Sequence, residues 1–543
     1  MDCNTDLEAL MAHLGDFGKY QCLQFMLLLI SSVTAGVHML SLQTVGAVPD
    51  HRCRIPEVDS LVNSTFTIPN LEEYVPKLEN AFDSCHIYNL TSENSELIKC
   101  NSWIYDTTYY KSSRGMEWNF VCDRRWMGAV AQSAFMFGVF VGAVTLGSAA
   151  DKYGRKTIFC WSSLFQLVFG VSAAFISDYY AFLIVQFCYG LFGSAGSYLP
   201  GFVLAMELIG PSKRTVCGVT FQAGFAFGII LVAGWAAIIS DKQILQLVYG
   251  MHGLLLLGHW WLIDESPRWL WANGKITEAV KIIQKGLRIN GSSLRLDPAE
   301  YFTKVTKTSK TAHKANVSDL FKMPVLRKRT LNICLAWFAN SLVYYGLSLG
   351  TGKLYGNPFV LLCLIGLVEF PGYTITVFLM DRTGRRSLTS FFMILGGICC
   401  IIAAYLFKGS VASTVFIMIG KFSIGSSFAI VYNYSAELFP TVVRNSALGL
   451  GAMSARLSGG LTPLISLLDF FNPALPTTIF AAISIVSGFL ILFLPETLGC
   501  LLPESLQDGE TFSVNDTAFT SCLRKKNKEK CNFTDQMHPL NPV

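Results

Sequence analysis

Charged residues are scarce in this sequence of 543 residues. Asp, Glu, Lys and Arg together make up 15% of the chain, whereas a soluble domain carries about 25%. Hydrophobic residues, in contrast, make up 52% of it. A chain with so few charges and so much apolar surface needs lipid around it. The composition therefore predicts a membrane protein and excludes an ordinary soluble domain.

Several motifs are also missing, and each absence excludes a class of protein. The sequence contains no Gly-x-x-x-x-Gly-Lys-Ser/Thr motif, which excludes a P-loop ATPase domain. His, Asp and Cys do not cluster into a nucleophilic or metal-binding set, so we expect no enzyme activity, no metal and no cofactor. The net charge of +5 follows the topology of the apolar segments and does not suggest nucleic acid as a partner.

Twelve apolar segments are long enough to cross about 30 Å of hydrocarbon as helices that rise about 1.5 Å per residue. The first segment is preceded by acidic residues such as Asp6 and Glu8, so we expect an anchoring helix and not a cleaved signal peptide with a basic start. The predicted spans are residues 20–48, 126–149, 157–176, 180–206, 215–239, 244–263, 330–350, 357–379, 388–407, 411–436, 445–468 and 474–494.

The basic residues of the connecting segments alternate with the spans. They cluster after the second, fourth, eighth and tenth spans, between the sixth and the seventh, and in the C-terminal tail. The other short loops are nearly free of positive charge. Because positively charged loops stay inside, we expect a multi-pass protein of the plasma membrane with both termini in the cytosol.

One long segment, residues 49–125, is then exposed to the oxidising outside of the cell. Four cysteines there suggest two disulfides with three alternative pairings. The same segment contains the glycosylation sequons at Asn63 and Asn89, and we expect a glycan on at least one of them. The four cysteines are Cys53, Cys85, Cys100 and Cys122.

The chain repeats itself at an offset of 230 residues. The sequence Asp-x-x-Gly-Arg at 151–155 recurs at 381–385, and a Glu and an Arg seven residues apart at 207 and 214 recur at 437 and 444. Each motif lies at the cytosolic end of a predicted helix. The repeat predicts two six-helix halves. The divisions are 1–265, a cytosolic linker 266–329, a second half 330–495 and a tail 496–543.

The repeated charges suit a cytosolic gate. A glycine permits a tight turn between two helices, and the arginine can pair with the acid that ends a neighbouring helix. We expect such pairs to hold the halves together when the path opens outward, although basic residues could also serve topology alone. The predicted gating residues are Asp151, Arg155, Glu207, Arg214, Asp381, Arg385, Glu437 and Arg444.

These motifs resemble the major facilitator superfamily and, more narrowly, the organic cation, anion and carnitine transporters of solute carrier family 22. The resemblance rests on the cysteine-bearing loop closing at 117–123, on 264–270 after the sixth span, on 437–445 and on 494–499. Asp264 departs from the family, which usually has Pro there. The resemblance implies an all-α major facilitator fold of twelve transmembrane helices and transport without ATP hydrolysis.

Three ionisable residues fall inside predicted spans, where charges are costly and usually functional. Glu369 and Arg456 each lie about 18 Å from the cytosolic helix end, and Lys421 about 24 Å. Their repeat equivalents are uncharged. Glu369 could bind an ammonium and Arg456 a carboxylate. Alternatively, Glu369 pairs with Arg456 or with Lys421 as a structural bridge.

The sequence therefore predicts a secondary transporter of small organic zwitterions or cations, of the carnitine or amino-acid-derivative type, that works by alternating access. The resemblance supports this because carnitine-type members combine an acid and an arginine at these positions. The alternative is an organic anion transporter that uses Arg456 and Lys421. Whether an ion is coupled to transport stays open. Aromatic side chains predicted to complete the site are Tyr344, Tyr345 and Tyr432.

Overall fold

A computed structural model describes residues 3–518 except 57, 60–64, 69, 79–80, 89–96, 295, 297–317, 351–353, 355, 407–409, 441, 501–502, 504 and 514–515. Each of the twelve predicted spans coincides with a helix or a run of helices. They are α1 Lys19–Val45, α2 Arg125–Tyr153, α3 Arg155–Phe175, α4 Tyr179–Leu208, α5 Arg214–Ile238, α6 at 242–262, α7 Pro324–Leu349, α8 Pro358–Thr383, α9 Arg385–Tyr405, α10 Val411–Leu438, α11 Arg444–Ser466 and α12 Leu475–Ile491.

Eight helices of the described part are, by length and composition, apolar enough to cross a membrane: α1 to α5 and α8 to α10. The helices at the other four predicted spans are shorter or less apolar than these eight, for local reasons. α6 is divided into Lys242–Met251, Leu254–Leu257 and His259–Leu262, and α12 has 17 residues. α7 begins with a basic cluster, and α11 contains Arg456 and several glycines.

The helices of each half pack mainly against one another, and two helix pairs join the halves. α2 packs against α11, and α5 packs against α8. The contact is close because glycines lie in it: Gly460 faces the ring of Phe137, and Gly366 faces the backbone of Ala226. A larger side chain at Gly366 would push α5 and α8 apart.

The segment between α1 and α2 contains short antiparallel strands, which lie outside the helical bundle and which the sequence did not predict. β1 His51–Cys53 pairs with β6 Trp103–Tyr105, β2 Lys77–Leu78 with β3 Ala81–Phe82, and β4 His86–Tyr88 with β5 Leu97–Lys99. Of the three disulfide pairings that the sequence left open, the structure contains Cys53–Cys100 and Cys85–Cys122. The sequons at Asn63 and Asn89 lie outside the described residues.

We call the side of the molecule that carries this segment the loop face, and the opposite side, which carries the Asp-x-x-Gly-Arg motifs, the motif face. The helix Cys3–Leu14 packs on the linker helix Ile276–Ile289 at the motif face. The helix Leu506–Thr511 lies there too, where the Glu510 carboxylate accepts hydrogen bonds from the first N–H groups of α7. Both described ends of the chain are thus on the motif face.

Candidate functional site

A cavity lies between the two halves. The first half contributes an uncharged wall, formed by Ala35, Met39, Met136, Val139, Ser194, Tyr198, Gln222 and Phe225. The second half contributes an aromatic wall and a charge, formed by Trp337, Ser341, Tyr344, Tyr345, Tyr373, Phe428, Tyr432, Ala452, Ala455, Arg456 and Gly459.

Arg456 is the single charged residue among the described residues that line this cavity. The rings of Tyr198, Tyr345 and Tyr432 line the same cavity. No ion pair within the described part of the chain includes Arg456, and its buried Nε has no hydrogen-bond partner there. The sequence predicted this residue at mid-membrane, and the structure places it on the cavity wall.

Glu369 and Lys421 form a buried ion pair behind that wall. The Lys421 Nζ lies 3.0 Å from Glu369 Oε1, and both side chains are fully buried. The Tyr373 hydroxyl donates to Glu369 Oε2 at 2.7 Å, and Lys421 Nζ donates to Ser348 Oγ at 2.7 Å. Of the alternatives that the sequence left open, the structure thus contains the Glu369–Lys421 pair.

The aromatic wall separates this ion pair from the cavity. Lys421 Nζ lies 2.9 Å from the centroid of the Tyr344 ring, while Tyr344 and Tyr373 themselves line the cavity. Glu369 and Lys421 are not among the described lining residues. The Glu369 carboxylate is thus paired with Lys421 and hydrogen-bonded to Tyr373, and a direct contact of Glu369 with the substrate stays a prediction.

The three tyrosines predicted from the sequence do line the cavity, and the structure adds further rings. The Trp337 and Tyr432 rings are 4.2 Å apart between centroids, and those of Tyr344 and Tyr345 are 5.3 Å apart. Phe428 stacks edge-on against Trp337 at 5.7 Å. The second half therefore presents several aromatic faces to one volume that also contains the Arg456 guanidinium.

Sequence reasoning missed the first half's contribution, although the repeat contained a signal for it. Shifting the cavity residues Phe428, Ala452 and Ala455 by 230 gives Tyr198, Gln222 and Phe225, which also line the cavity. Tyr198 closes a π-helical segment, Leu191–Tyr198, in the middle of α4. Such segments are rare and are frequent at functional sites.

At the motif face, the repeated charges form two equivalent clusters. Arg155 lies 3.0 Å from Asp151 and 3.4 Å from Glu207, measured from Nη2 to the nearest carboxylate oxygen. In the second half, Arg385 Nη2 lies 3.0 Å from an oxygen of Asp381, and Arg385 Nε lies 3.0 Å from Glu437 Oε2. The structure thus brings together the arginine and both acids in each repeat.

In this conformation each described ion pair of these clusters lies within one half, so these pairs do not themselves join the halves; a gating role in the state that is open to the loop face stays a prediction. The reason is geometric, since Arg155 begins α3 and Glu207 ends α4, and both helices belong to the first half. Arg214 and Arg444 instead donate from Nε to the backbone carbonyls of Ile209 and Phe439 at 3.2 and 3.3 Å.

Two further glutamates belong to these clusters and were missed as functional residues. Both Glu265 carboxylate oxygens accept the backbone N–H of Lys156, and Glu496 accepts those of Arg385 at 2.8 Å and Arg386 at 3.1 Å. Each glutamate therefore caps the helix that follows the tight turn. The turn glycines have φ of +107° and +89°, and a side chain at either would collide with the capping carboxylate.

Comparison with known proteins identifies the family. The profile of the "Sugar (and other) transporter" family matches residues 77–506. An "Organic cation transporter protein" of Drosophila melanogaster is 38% identical over 92% of this chain and 94% of its own length. Human "Solute carrier family 22 member 16" is 31% identical over 98% of both chains. This chain belongs to solute carrier family 22. The family assignment agrees with the resemblance seen in the sequence motifs.

Solved structures show the same fold at low identity. The proton:xylose symporter XylE with a bound glucose derivative matches 91% of this family 22 chain and 98% of its own, at a TM-score of 0.60 and 14% identity. The inward-open form of the same E. coli transporter gives a TM-score of 0.57 at 15% identity. The chain thus has the major facilitator fold. It is a multi-pass membrane transporter of small organic solutes and not an enzyme.

Proposed function

We propose that this family 22 chain is a secondary transporter of small organic zwitterions, of the carnitine or amino-acid-derivative type. The observation that carries the proposal is the charge balance of the site. Glu369 and Lys421 neutralise each other behind the aromatic wall, which leaves Arg456 as a cation facing the cavity. An unpaired charge in a buried site costs several kcal/mol, and a substrate carboxylate would supply the missing partner.

A zwitterion fits the two chemical features of the cavity together. Its carboxylate can accept two parallel N–H bonds from the Arg456 guanidinium. Its ammonium group can lie against the faces of Tyr344, Tyr345 and Trp337, where a cation–π contact contributes about 0.5–2 kcal/mol. The ammonium is therefore recognised by rings and not by Glu369, which revises the site predicted from the sequence.

Simple cations and simple anions fit less well. The names of two Drosophila relatives refer to organic cations, but a cation without a carboxylate would be repelled by Arg456. An organic anion is the second candidate, because it would also pair with Arg456. It would use Arg456 alone, since Lys421 is occupied by Glu369, and it would gain nothing from the cation-binding faces of the rings.

The topology that supports this function follows from the loop charges. The basic clusters lie on the motif face, so the positive-inside rule assigns that face to the cytosol. Both termini are then cytosolic, and the disulfide-linked segment of the loop face is outside, in the compartment where disulfides persist. In this orientation the protein resides in the plasma membrane and alternates access to the cavity between the two sides.

Uptake by cells that express the protein tests the proposal. Radiolabelled carnitine, tetraethylammonium and a dicarboxylate should be compared in the wild type, in Arg456→Gln and in Arg456→Asp. Arg382→Gln, which removes an exposed charge on the motif face, is the matched control. We expect both Arg456 variants to lose about tenfold or more of carnitine uptake, and Arg456→Asp to favour tetraethylammonium relative to carnitine. An unchanged ratio of carnitine to tetraethylammonium uptake in Arg456→Asp would contradict the proposal.

A further inference from the structure

Within the described residues, two polar contacts join the halves at the loop face. The Arg125 guanidinium, at the start of α2, lies 2.8 Å from Asp469 Oδ1. Asp469 lies in a short turn of 3-10 helix, Leu467–Phe470, directly after α11. Nearby, the Gln43 side chain at the end of α1 donates to the backbone carbonyl of Leu349 at the end of α7, at 2.6 Å. Each contact links the first half to the second.

Aromatic contacts continue this connection along the same face. The ring of Tyr110, in the segment between α1 and α2, lies 5.1 Å from that of Phe359 at the start of α8. Tyr109 contacts the same ring at 6.3 Å. The loop face therefore carries polar and aromatic contacts between the halves, at the ends of α1, α2, α7, α8 and α11.

At the motif face, the contacts between the halves are of a different kind from those at the loop face. There, each of the described ion pairs of the repeated clusters stays within one half. Apolar packing still connects the halves toward that side, for example between the rings of Phe202 and Tyr432 at 6.4 Å. Specific charge pairing between the halves is thus found at the loop face, where the sequence analysis did not expect it.

We infer that the Arg125–Asp469 ion pair is a gate on the loop face, which closes the path to the cavity and separates when the cavity opens to that side. The inference rests on the proposed transport function, since alternating access requires the halves to part at each face in turn. Two residues that belong to different halves and touch only near the loop face cannot keep their contact in that open state. The pair therefore favours the conformation described here over the open one.

The size of the effect follows from the exposure of the pair. The Arg125 side chain is 41% exposed and that of Asp469 is 12% exposed. A partly exposed ion pair of this kind changes the equilibrium between two conformations by about two- to fivefold. Such a bias is small enough for the gate to open during each transport cycle, and large enough to be measured as a shift in access to the cavity.

Access to the cavity from the loop side tests this gate without any substrate. Ala452 lines the cavity, and a cysteine placed there can be labelled by a membrane-impermeant thiol reagent. Labelling should be measured for Ala452→Cys alone and combined with Arg125→Gln, with Asp469→Asn or with the exchange Arg125→Asp/Asp469→Arg. Arg124→Gln, which removes the neighbouring exposed charge, is the matched control. The protein without Ala452→Cys gives the background from native thiols.

We expect each single gate variant to label about two- to fivefold faster, and the charge exchange to return the rate toward that of Ala452→Cys alone. Arg124→Gln should leave the rate unchanged. Equal labelling rates in all variants at normal surface expression would overturn the inference. So would an exchange variant that labels as fast as the single variants, because the charges would then not act as a pair.

A second measurement covers the case in which a charge variant does not reach the surface. A short bifunctional thiol cross-linker applied to Arg125→Cys/Asp469→Cys should block carnitine uptake, whereas each single-cysteine variant should keep its uptake under the same treatment. Uptake that persists after demonstrated cross-linking would overturn the gate. Because the labelling of Ala452→Cys needs no substrate, it reports on the movement of the halves alone, and failure of the zwitterion proposal would appear separately, as an unchanged substrate ratio in Arg456→Asp.

Discussion

The carboxylate of Glu369 and the ammonium group of Lys421 lie 3.0 Å apart with neither side chain exposed. Glu369 belongs to α8 and Lys421 to α10, so the pair fastens two helices of the second half. Their repeat equivalents in the first half are Val139 and Leu191, which shows that the fold itself does not require the pair. Its effect is to keep two buried charges neutral behind the wall of a cavity that contains a third.

Glu369 and Lys421 should therefore act as a unit in mutational tests. Glu369→Gln or Lys421→Met alone leaves one buried charge without its partner, and breaking a buried pair in this way costs about 3–5 kcal/mol. The double variant removes both charges and should recover much of that loss. The measurement is a double-mutant cycle on the thermal stability of the purified protein, with uptake measured in parallel.

A direct role of Glu369 in substrate binding would give a different pattern. In that case the double variant would regain stability, but carnitine uptake would stay as low as in Glu369→Gln. Additive losses of stability in the double variant would contradict the structural pairing itself.

The motif-face arginines give a second prediction. Arg155→Ala and Arg385→Ala each remove the centre of a cluster that joins the end of one helix to the start of another. We expect transport to fall several-fold while surface expression is largely kept, because the clusters are partly exposed and each contact contributes about 1 kcal/mol or less. Uptake normalised to surface protein is the measurement.

Lys152→Ala is the control for these variants, since Lys152 is a neighbouring basic residue that is exposed on the same face. If both arginine variants transported at the wild-type rate, the arginines would serve topology alone. Because the described pairs lie within the halves, we expect the two variants to act independently, so that their combined loss is the product of the single losses.

The sequence was sufficient for the architecture, because helices that cross a membrane must be long and apolar and because the repeat doubles the evidence for each half. It was also sufficient to place Arg456 at the cavity, since a charge inside a span is an uncommon signal. It could not decide what Glu369 contacts. The sequence gives the depth of Glu369 in the membrane but not the side of the helix on which its side chain lies. Depth alone therefore cannot distinguish Lys421 from a substrate ammonium group as the partner of Glu369.

Two further features of the structure could not be predicted from the sequence, namely which acid pairs with each motif-face arginine and the strands between α1 and α2. The sequence located the repeated charges only at helix ends, whereas the acid with which Arg155 or Arg385 pairs depends on how the helices pack. The strands between α1 and α2 were missed because each has two or three residues, too few to show an alternation of apolar and polar positions. Disulfides fix these short strands in place.

The capping glutamates give the last prediction. The Glu496 carboxylate accepts the backbone N–H groups of Arg385 and Arg386, which otherwise have no partner within the first turn of α9. Glu496→Ala should lower the stability of the protein by about 0.5–2 kcal/mol, the usual cost of losing a helix cap, and Glu265→Ala should do the same at α3. Lys281→Ala, at an exposed position in the middle of the linker helix, should have no effect. The measurement is the thermal unfolding of purified protein.

The variant Glu496→Gln separates charge from hydrogen bonding, because an amide oxygen can still accept an N–H but carries no net charge toward the helix dipole. We expect Glu496→Gln to lie between the wild type and Glu496→Ala. A wild-type melting temperature in Glu496→Ala would show that water or another carbonyl replaces the carboxylate, and the cap would then not stabilise the turn between α8 and α9.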